Sequence, residues 1–242
     1  MSRGLPDYGI RDYQIAIEQN DLSIFALVDS GFTFMDGRGR IIWFDNFKQG
    51  LQKWNTFTGG NGIAPTHVHY NGYYYGYYGC VIFDPVDSTG MSGMFFQQNI
   101  SFGNKVGLEI YVRLTSNHGR AIFRVQESDV DGHAYTALGY IEETSGDVFI
   151  TTPSGDVKVY DNPSDAYVSD HWTNFKIVGN FTTGKFYKLI IGGNSVDLSA
   201  YDMVAASTGI KGRVYIDLRI EGKVGKTGQM YIGGVLVNVD EP

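Results

Sequence analysis

Period-two alternation of apolar and polar residues is the feature that most constrains this chain. Apolar side chains occupy every second position over residues 106–114 and again over residues 214–220. Successive side chains of a β-strand point to opposite faces, so this spacing predicts half-buried strands. Shorter alternating runs at residues 121–125 and 175–181 extend the pattern. The chain is therefore predicted to consist mainly of strands.

Turn signals separate these runs, and helical periodicity is nearly absent. Glycine fills 32 positions and proline only 6. Turn signals recur at short intervals, at residues 116–119, 131–132, 145–147, 153–156, 183–184 and 192–194. Short strands joined by such turns favour a sandwich or barrel. The best helical candidates, residues 11–19 and 199–206, are too short to cover a parallel sheet. We therefore predict an all-β protein, an antiparallel β-sandwich.

The charge balance excludes two classes of partner. The 242 residues include 19 Lys and Arg against 26 Asp and Glu, which gives a net charge of −7. A duplex nucleic acid requires basic groups that neutralise phosphates, and an anionic membrane attracts basic surfaces. The longest apolar runs are about five residues, whereas a membrane helix needs roughly 20. We expect neither a nucleic acid nor a membrane as partner.

The single cysteine and the opening residues bear on where the chain is made. Cys80 cannot form an internal disulfide, and its apolar neighbours predict a buried small side chain rather than a nucleophile. Residues 1–7 lack the apolar stretch of a secretory signal. We therefore expect synthesis in the cytoplasm.

Residues 1–40 are predicted to form an N-terminal arm or docking region, ahead of a β-sandwich at residues 41–242. The arm carries apolar clusters at residues 15–17, 24–28 and 32–34. Exposure of so many apolar side chains to water is unfavourable. The arm is therefore expected to pack on the sandwich or on a partner. The candidate docking residues are Leu5, Pro6, Tyr8 and Ile10.

A run rich in tyrosine occupies residues 70–79. Its six tyrosines are Tyr70, Tyr73, Tyr74, Tyr75, Tyr77 and Tyr78. A tyrosine ring combines a flat apolar face with a hydroxyl group. The run can form a strand and bend whose rings alternate between core and surface, a contact between subunits, or a platform that stacks on sugar rings. The structural interpretation is favoured, and the other two stay open.

No catalytic set emerges from the residues. A glycosidase needs two carboxylates that face its substrate across a cleft. Asp217 and Glu221 share one face of the predicted strand, but Arg219 lies between them, which favours an exposed charge ladder. The glycine-rich residues 222–227 lack the helix that follows a phosphate loop. We therefore predict no catalytic residues.

One acidic segment offers possible metal ligands. Glu127, Asp129 and Asp131 place carboxylates at alternate positions, and calcium prefers such oxygen ligands. Positions 133, 135 and 137 add no further carboxylate. A solvated turn is therefore the favoured interpretation and calcium the alternative, and no other cofactor is expected.

Three segments resemble one known superfamily. Residues 43–54 read WFDNFKQGLQKW, residues 171–187 combine a Trp-containing strand with a hairpin, and residues 230–237 read MYIGGVLV. Together they resemble the opening motif, central hairpin and closing strand of the concanavalin-like jelly-roll superfamily, which includes laminin-G-type and carbohydrate-binding domains. The resemblance covers about residues 41–242 and implies a jelly-roll fold. It implies the fold more firmly than any activity, because these motifs report packing and turns.

The opening MSRGLPDYG, followed by an arm and a jelly roll, also resembles bacteriophage-encoded structural proteins. This resemblance implies a non-catalytic virion surface component, either a capsid decoration or a tail-associated protein. Such a protein would be homo-oligomeric, with the major capsid or tail protein as its partner. The alternative is a carbohydrate-binding module or a host-glycan receptor-binding protein that uses exposed aromatic residues. A polysaccharide hydrolase is the third option.

Overall fold

The structure, a computed structural model, describes residues 40–47, 49–69, 79–99, 105–115, 117–129, 131–142, 145–161, 171–207, 209–225 and 228–240. The strands in chain order are β1 (Arg40–Asp45), β2 (Asn55–Gly59), β3 (Ile63–His69), β4 (Gly79–Asp84), β5 (Met91–Gln98), β6 (Lys105–Leu114), β7 (Arg120–Ser128), β8 (His133–Ile141), β9 (Val148–Thr152), β10 (Gly155–Tyr160), β11 (Trp172–Asn180), β12 (Lys185–Ile191), β13 (Asn194–Asp197), β14 (Val204–Ser207), β15 (Arg213–Glu221) and β16 (Met230–Val239). These ranges contain no helix, and hence none that could cross a membrane.

The strands form two antiparallel sheets that pack face to face. Sheet A has the spatial order β13, β12, β11, β6, β16, β4 and β3, with β1 pairing the far end of β16. Sheet B has the order β10, β9, β8, β7, β15, β5 and β2, with β14 pairing β8. The predicted antiparallel sandwich is confirmed. The short helical candidate at residues 199–206 forms a turn and the start of β14, and the candidate at residues 11–19 lies outside the described residues.

The alternating runs supply the core between the sheets. On β6, Leu108, Ile110 and Val112 are fully buried, and the facing strands of sheet B contribute the other half of the core. Phe123 of β7 meets Phe175 of β11 across the sandwich, with ring centroids 4.6 Å apart. The apolar positions of the period-two pattern thus point inward, as predicted.

The segment that resembles the superfamily's opening motif folds as a buried aromatic turn. Both carboxylate oxygens of Asp45 accept hydrogen bonds, from the backbone N–H of Phe47 at 2.9 Å and from the indole Nε1 of Trp54 at 2.9 Å. Phe47 has a φ of 56°, a backbone conformation that residues other than glycine rarely adopt. Trp43 packs edge-on against Trp54, with centroids 5.2 Å apart. Asp45 therefore holds the turn that starts the sandwich.

The outer face of sheet A, which points away from the core, is buried at its centre. Glu109 and Lys176 are paired across β6 and β11, and both side chains are 0% exposed. Leu236 and Asn238 of β16 on the same face are also buried. The alternation predicted half-buried strands with polar residues facing away from the core, but these polar side chains are themselves covered. The centre of this face is therefore closed to a ligand.

Candidate functional site

The outer face of sheet B presents aromatic rings on both of its flanks. Cross-strand partners point to the same side of a sheet, and the core residues of each strand occupy the alternate positions. The register therefore places on this face the side chains of Phe57, Phe95, Tyr140, Phe149 and Tyr215. Tyr140 is buried, and the other four are half-buried. We call this surface the sheet-B face.

The first flank is a row of rings on β2, β5 and β15. Phe95 stacks on Tyr215 with centroids 5.5 Å apart, and Phe57 lies 6.2 Å from Phe95. The Phe57 ring lies over Gly93, where an added Cβ would come within 2.3 Å of the Phe57 Cζ. Glycine is therefore required at position 93 for the ring to lie against the sheet. The row is continuous and partly open to solvent.

The second flank is formed by β8 and β9. Tyr140 and Phe149 are nearly parallel, with an interplanar angle of 5° and centroids 5.2 Å apart. The Tyr140 hydroxyl donates to Asp156 Oδ2 at 3.0 Å. Burial, together with this hydrogen bond, raises the pKa of Tyr140 to about 12, so the hydroxyl remains a donor at neutral pH. The Arg120 guanidinium covers the Tyr140 ring at 4.4 Å.

Charged side chains of β7 and β15 separate the two flanks, and we call this strip the charged belt. Arg124 Nη2 lies 2.9 Å from Asp217 Oδ2, and Arg219 Nη1 lies 3.4 Å from the same oxygen. Arg219 Nε is also 3.1 Å from Glu221 Oε1. Burial raises the pKa of Asp217, although the guanidiniums of Arg124 and Arg219 oppose that shift. A single guanidinium thus bridges the two carboxylates.

This belt is poorly suited to hydrolysis of a glycosidic bond. Carboxylates that cleave such a bond have to reach the substrate from two sides. Asp217 is only 1% exposed and is held by two arginines, and Arg219 lies between it and Glu221. Elsewhere, burial raises the pKa of the Cys80 thiol to about 11, which leaves it a poor nucleophile at neutral pH. The charged belt therefore does not offer the arrangement on which such a hydrolysis depends.

The acidic segment predicted as a calcium candidate forms the turn between β7 and β8. The structure brings Asp129 and Asp131 together with His133, and their possible ligand atoms lie within 4.8 Å of one another. Asp129 Oδ1 accepts the backbone N–H groups of Asp131 at 2.8 Å and His133 at 2.9 Å. Glu127 is instead buried within β7. Asp129 already stabilises its own turn, and calcium binding stays a prediction.

Two sets of predicted residues lie outside the described residues. They are the docking candidates Leu5, Pro6, Tyr8 and Ile10, and the tyrosines Tyr70, Tyr73, Tyr74, Tyr75, Tyr77 and Tyr78. The rings of the sheet-B face were not among the candidate site residues predicted from the sequence. Only Tyr215 had a signal in the sequence, because it occupies an outward position of β15, along which apolar and polar residues alternate strongly. Phe57 and Phe95 gave no comparable signal, since β2 and β5 do not alternate cleanly.

Comparison with known proteins bears on the fold. The laminarinase catalytic domain of Thermotoga maritima MSB8 is 12% identical with a TM-score of 0.51, and the match covers 85% of this chain and 100% of that one. The cellulose-induced protein Cip1 is 14% identical with a TM-score of 0.50, covering 81% of this chain and 96% of that one. Peanut lectin is 10% identical with a TM-score of 0.49, covering 81% and 95%.

At such low identities these likenesses show architecture alone. No protein-family model matches the sequence, and no curated protein sequence matches it. The laminarinase domain and Cip1 each match over more than four fifths of this chain. The two antiparallel sheets and these matches confirm the fold that the opening motif, central hairpin and closing strand implied. The chain has the concanavalin-like jelly-roll fold.

Proposed function

We propose that this chain is a non-catalytic protein that binds glycans with the sheet-B face. The observation that carries the proposal is the order of groups across this face, with aromatic rings on both flanks and the charged belt between them. A sugar ring has an apolar face and a rim of hydroxyl groups. Aromatic rings that keep one face accessible bind the apolar face of the sugar, and fixed polar groups bind its hydroxyl groups.

The dimensions of the face suit an extended glycan. Neighbouring strands lie about 4.8 Å apart, so the five steps from β9 to β2 span about 24 Å. Phe149 lies at one end of this distance and Phe57 at the other. A glycan chain that runs across the strands would therefore contact both flanks and pass over the belt.

The absence of cleavage is part of the proposal. On β7, which crosses the middle of the face, the outward positions carry Arg120, Ile122, Arg124 and Gln126, and none of them is a carboxylate. The carboxylates of the neighbouring β15 are joined through Arg219. A bound glycan would meet guanidinium and amide groups there, which hold hydroxyl groups but do not cleave the chain.

Replacing one ring of the first flank tests this function. Affinity electrophoresis against a panel of polysaccharides first identifies the polymer that retards the wild-type protein most. We expect Tyr215→Ala to weaken binding to that polymer about tenfold, since one aromatic stacking contact contributes roughly 1–1.5 kcal/mol. No reducing ends should be released during the incubation.

The matched control is Tyr187→Ala in sheet A. Tyr187 is also a half-buried tyrosine under a cation, with Lys105 Nζ 3.7 Å from its ring centroid. We expect this variant to bind like the wild type. Equal losses in both variants, or no retardation of the wild type by any polymer, would show that the sheet-B face is not a glycan site.

The sequence resemblance to bacteriophage structural proteins supports a setting for this binding. We propose a virion surface location, as a capsid decoration or tail-associated protein that is homo-oligomeric. Attachment to the major capsid or tail protein is assigned to Leu5, Pro6, Tyr8 and Ile10. In this setting the protein would contribute to assembly and could present its sheet-B face to cell-surface glycans.

Removal of residues 1–10 tests this attachment. We expect a folded, soluble protein that no longer sediments with its particle, because each apolar side chain removed from a contact takes away roughly 1.5–3 kcal/mol. Circular dichroism checks that the sandwich remains folded. Undiminished co-sedimentation of the shortened chain would refute the assigned role of these residues.

A further inference from the structure

We infer that the glycan bound by the sheet-B face carries carboxylate groups, and that the Arg213 guanidinium binds them. This inference rests on the proposed function and names the class of its ligand. Its basis is the charge of the belt and the incomplete pairing of one arginine.

The charged belt differs in charge from the chain as a whole. The protein as a whole has a net charge of −7. The charged belt and its margin nevertheless contain more cations than carboxylates. The cations are Arg120, Arg124, Arg213, Arg219 and Lys223, and the carboxylates paired with them are Glu142, Asp217 and Glu221. An acidic protein that concentrates cations in one such strip creates a local site for an anion.

Arg213 is the one cation of this group that is not paired with any of these three carboxylates. Its Nη1 lies 3.4 Å from Gln97 Oε1, a neutral acceptor, and it has no carboxylate partner among the described residues. Its Nε is shielded from solvent and has no acceptor in the same part of the chain. Arg124, by contrast, is neutralised by Asp217 at 2.9 Å.

The position of Arg213 joins the charge to the aromatic row. Its guanidinium lies 5.6 Å from the Tyr215 ring centroid, and that of Arg124 lies 4.7 Å from the same ring. Both guanidiniums raise the positive potential around this ring, and Asp217 neutralises that of Arg124. A sugar that stacks along Phe95 and Tyr215 would bring a ring substituent next to Arg213.

A carboxylate is the group that fits this position. The planar fork of a guanidinium matches the two oxygens of a carboxylate and forms parallel, charge-assisted hydrogen bonds. A hydroxyl group offers one neutral oxygen, which cannot match both arms of the fork in parallel and leaves the positive charge unbalanced. The ring beneath the guanidinium also restricts its motion, which lowers the entropic cost of binding.

Polymers that differ only in charge test the inference. The probes are polygalacturonate and alginate, each compared with its carboxyl-esterified form in affinity electrophoresis and calorimetry. We expect at least one acidic polymer to bind the wild-type protein tenfold or more tightly than its ester. Raising the salt concentration should weaken the acidic interaction and leave any binding of the ester unchanged.

The variant Arg213→Gln should weaken binding of the acidic polymer about tenfold and leave binding of the ester as it is. The control is Arg113→Gln in sheet A, because Arg113 also lies over a tyrosine, 5.2 Å from the ring centroid of Tyr231. We expect this control to bind like the wild type. Thermal unfolding of both variants checks that the fold is intact.

Three results would overturn the inference. They are acidic polymers and esters that bind equally, an Arg213→Gln variant that binds the acidic polymer as tightly as the wild type, and no binding of either acidic polymer. Neutral polysaccharides then show whether only the carboxylate inference fails or whether the proposed glycan binding fails as well. If a neutral polymer binds and Tyr215→Ala weakens it, only the carboxylate class fails. If no polymer of any charge binds, the proposed function fails as well.

Discussion

Replacement of Lys176 by methionine is expected to lower the free energy of unfolding by about 3–5 kcal/mol, because it removes the ammonium group that is paired with a buried carboxylate. Lys176 Nζ lies 3.5 Å from Glu109 Oε2, and both side chains are 0% exposed. Asn174 Nδ2 also donates to Glu109 Oε1 at 2.8 Å, but an amide does not neutralise the charge. Because Glu109 is buried, water cannot readily solvate its carboxylate once the ammonium group is removed.

Urea unfolding followed by tryptophan fluorescence measures this effect. Adding Glu109→Gln to Lys176→Met should recover much of the loss, since the neutral amide keeps an acceptor for Asn174 and removes the charge. The control Lys188→Met, a half-buried lysine of β12, should change the free energy of unfolding by less than about 1 kcal/mol. If Lys176→Met and Lys188→Met have equal effects, the buried pair does not stabilise the sandwich.

Loss of the Asp45 carboxylate is expected to cost about 3 kcal/mol in Asp45→Ala. The alanine leaves two buried donors, the Phe47 N–H and the Trp54 indole N–H, without their acceptor, and each unsatisfied donor costs roughly 1–3 kcal/mol. Asp45→Asn keeps one oxygen and removes a buried charge, so its loss should be smaller. Urea unfolding of the two variants at neutral pH provides the measurement. Equal losses would show that hydrogen bonding by Asp45 does not hold the turn.

The pH dependence gives a second test of Asp45. Burial raises the pKa of this carboxyl above its ordinary value of 3.8, against the opposing effects of Lys53 and the hydrogen bonds from Phe47 and Trp54. The folded state therefore binds this proton more tightly than the unfolded state does. The contribution of Asp45 to stability should grow as the pH falls through the folded-state pKa and be lost as the pH rises through it. In Asp45→Asn this component should be absent, so an unchanged pH profile would contradict the assignment.

The strands were predictable because burial alternates along them. On β6 and β15, one face packs in the core at every second residue, and the period-two pattern records that directly. The same pattern could not show whether the outer face is open. Glu109 and Lys176 have the pattern of outward polar residues, yet both are fully buried. Alternation separates two sides of a strand and carries no information on what lies against each side.

The sheet-B face was not predictable, because it is assembled from distant parts of the chain. Phe57, Phe95 and Tyr215 belong to β2, β5 and β15, which are neighbours only through the crossovers of the jelly roll. Period-two spacing gives the side of a strand to which a residue points, but not the identity of the adjacent strand. The tyrosine run at residues 70–79 could be recognised from the sequence, because its six tyrosines lie close together along the chain.

The most direct test of the sheet-B face is solution NMR of the protein with 13C-labelled phenylalanine and tyrosine rings. The polysaccharide that retards the wild type most in affinity electrophoresis supplies the oligosaccharide for a titration. The account predicts that the ring resonances of Phe57, Phe95 and Tyr215 shift on addition of the oligosaccharide, while those of Tyr111 and Tyr231 in sheet A do not. A titration that shifts the sheet-A rings, or those of the tyrosine run, and leaves Phe95 and Tyr215 unmoved would contradict it.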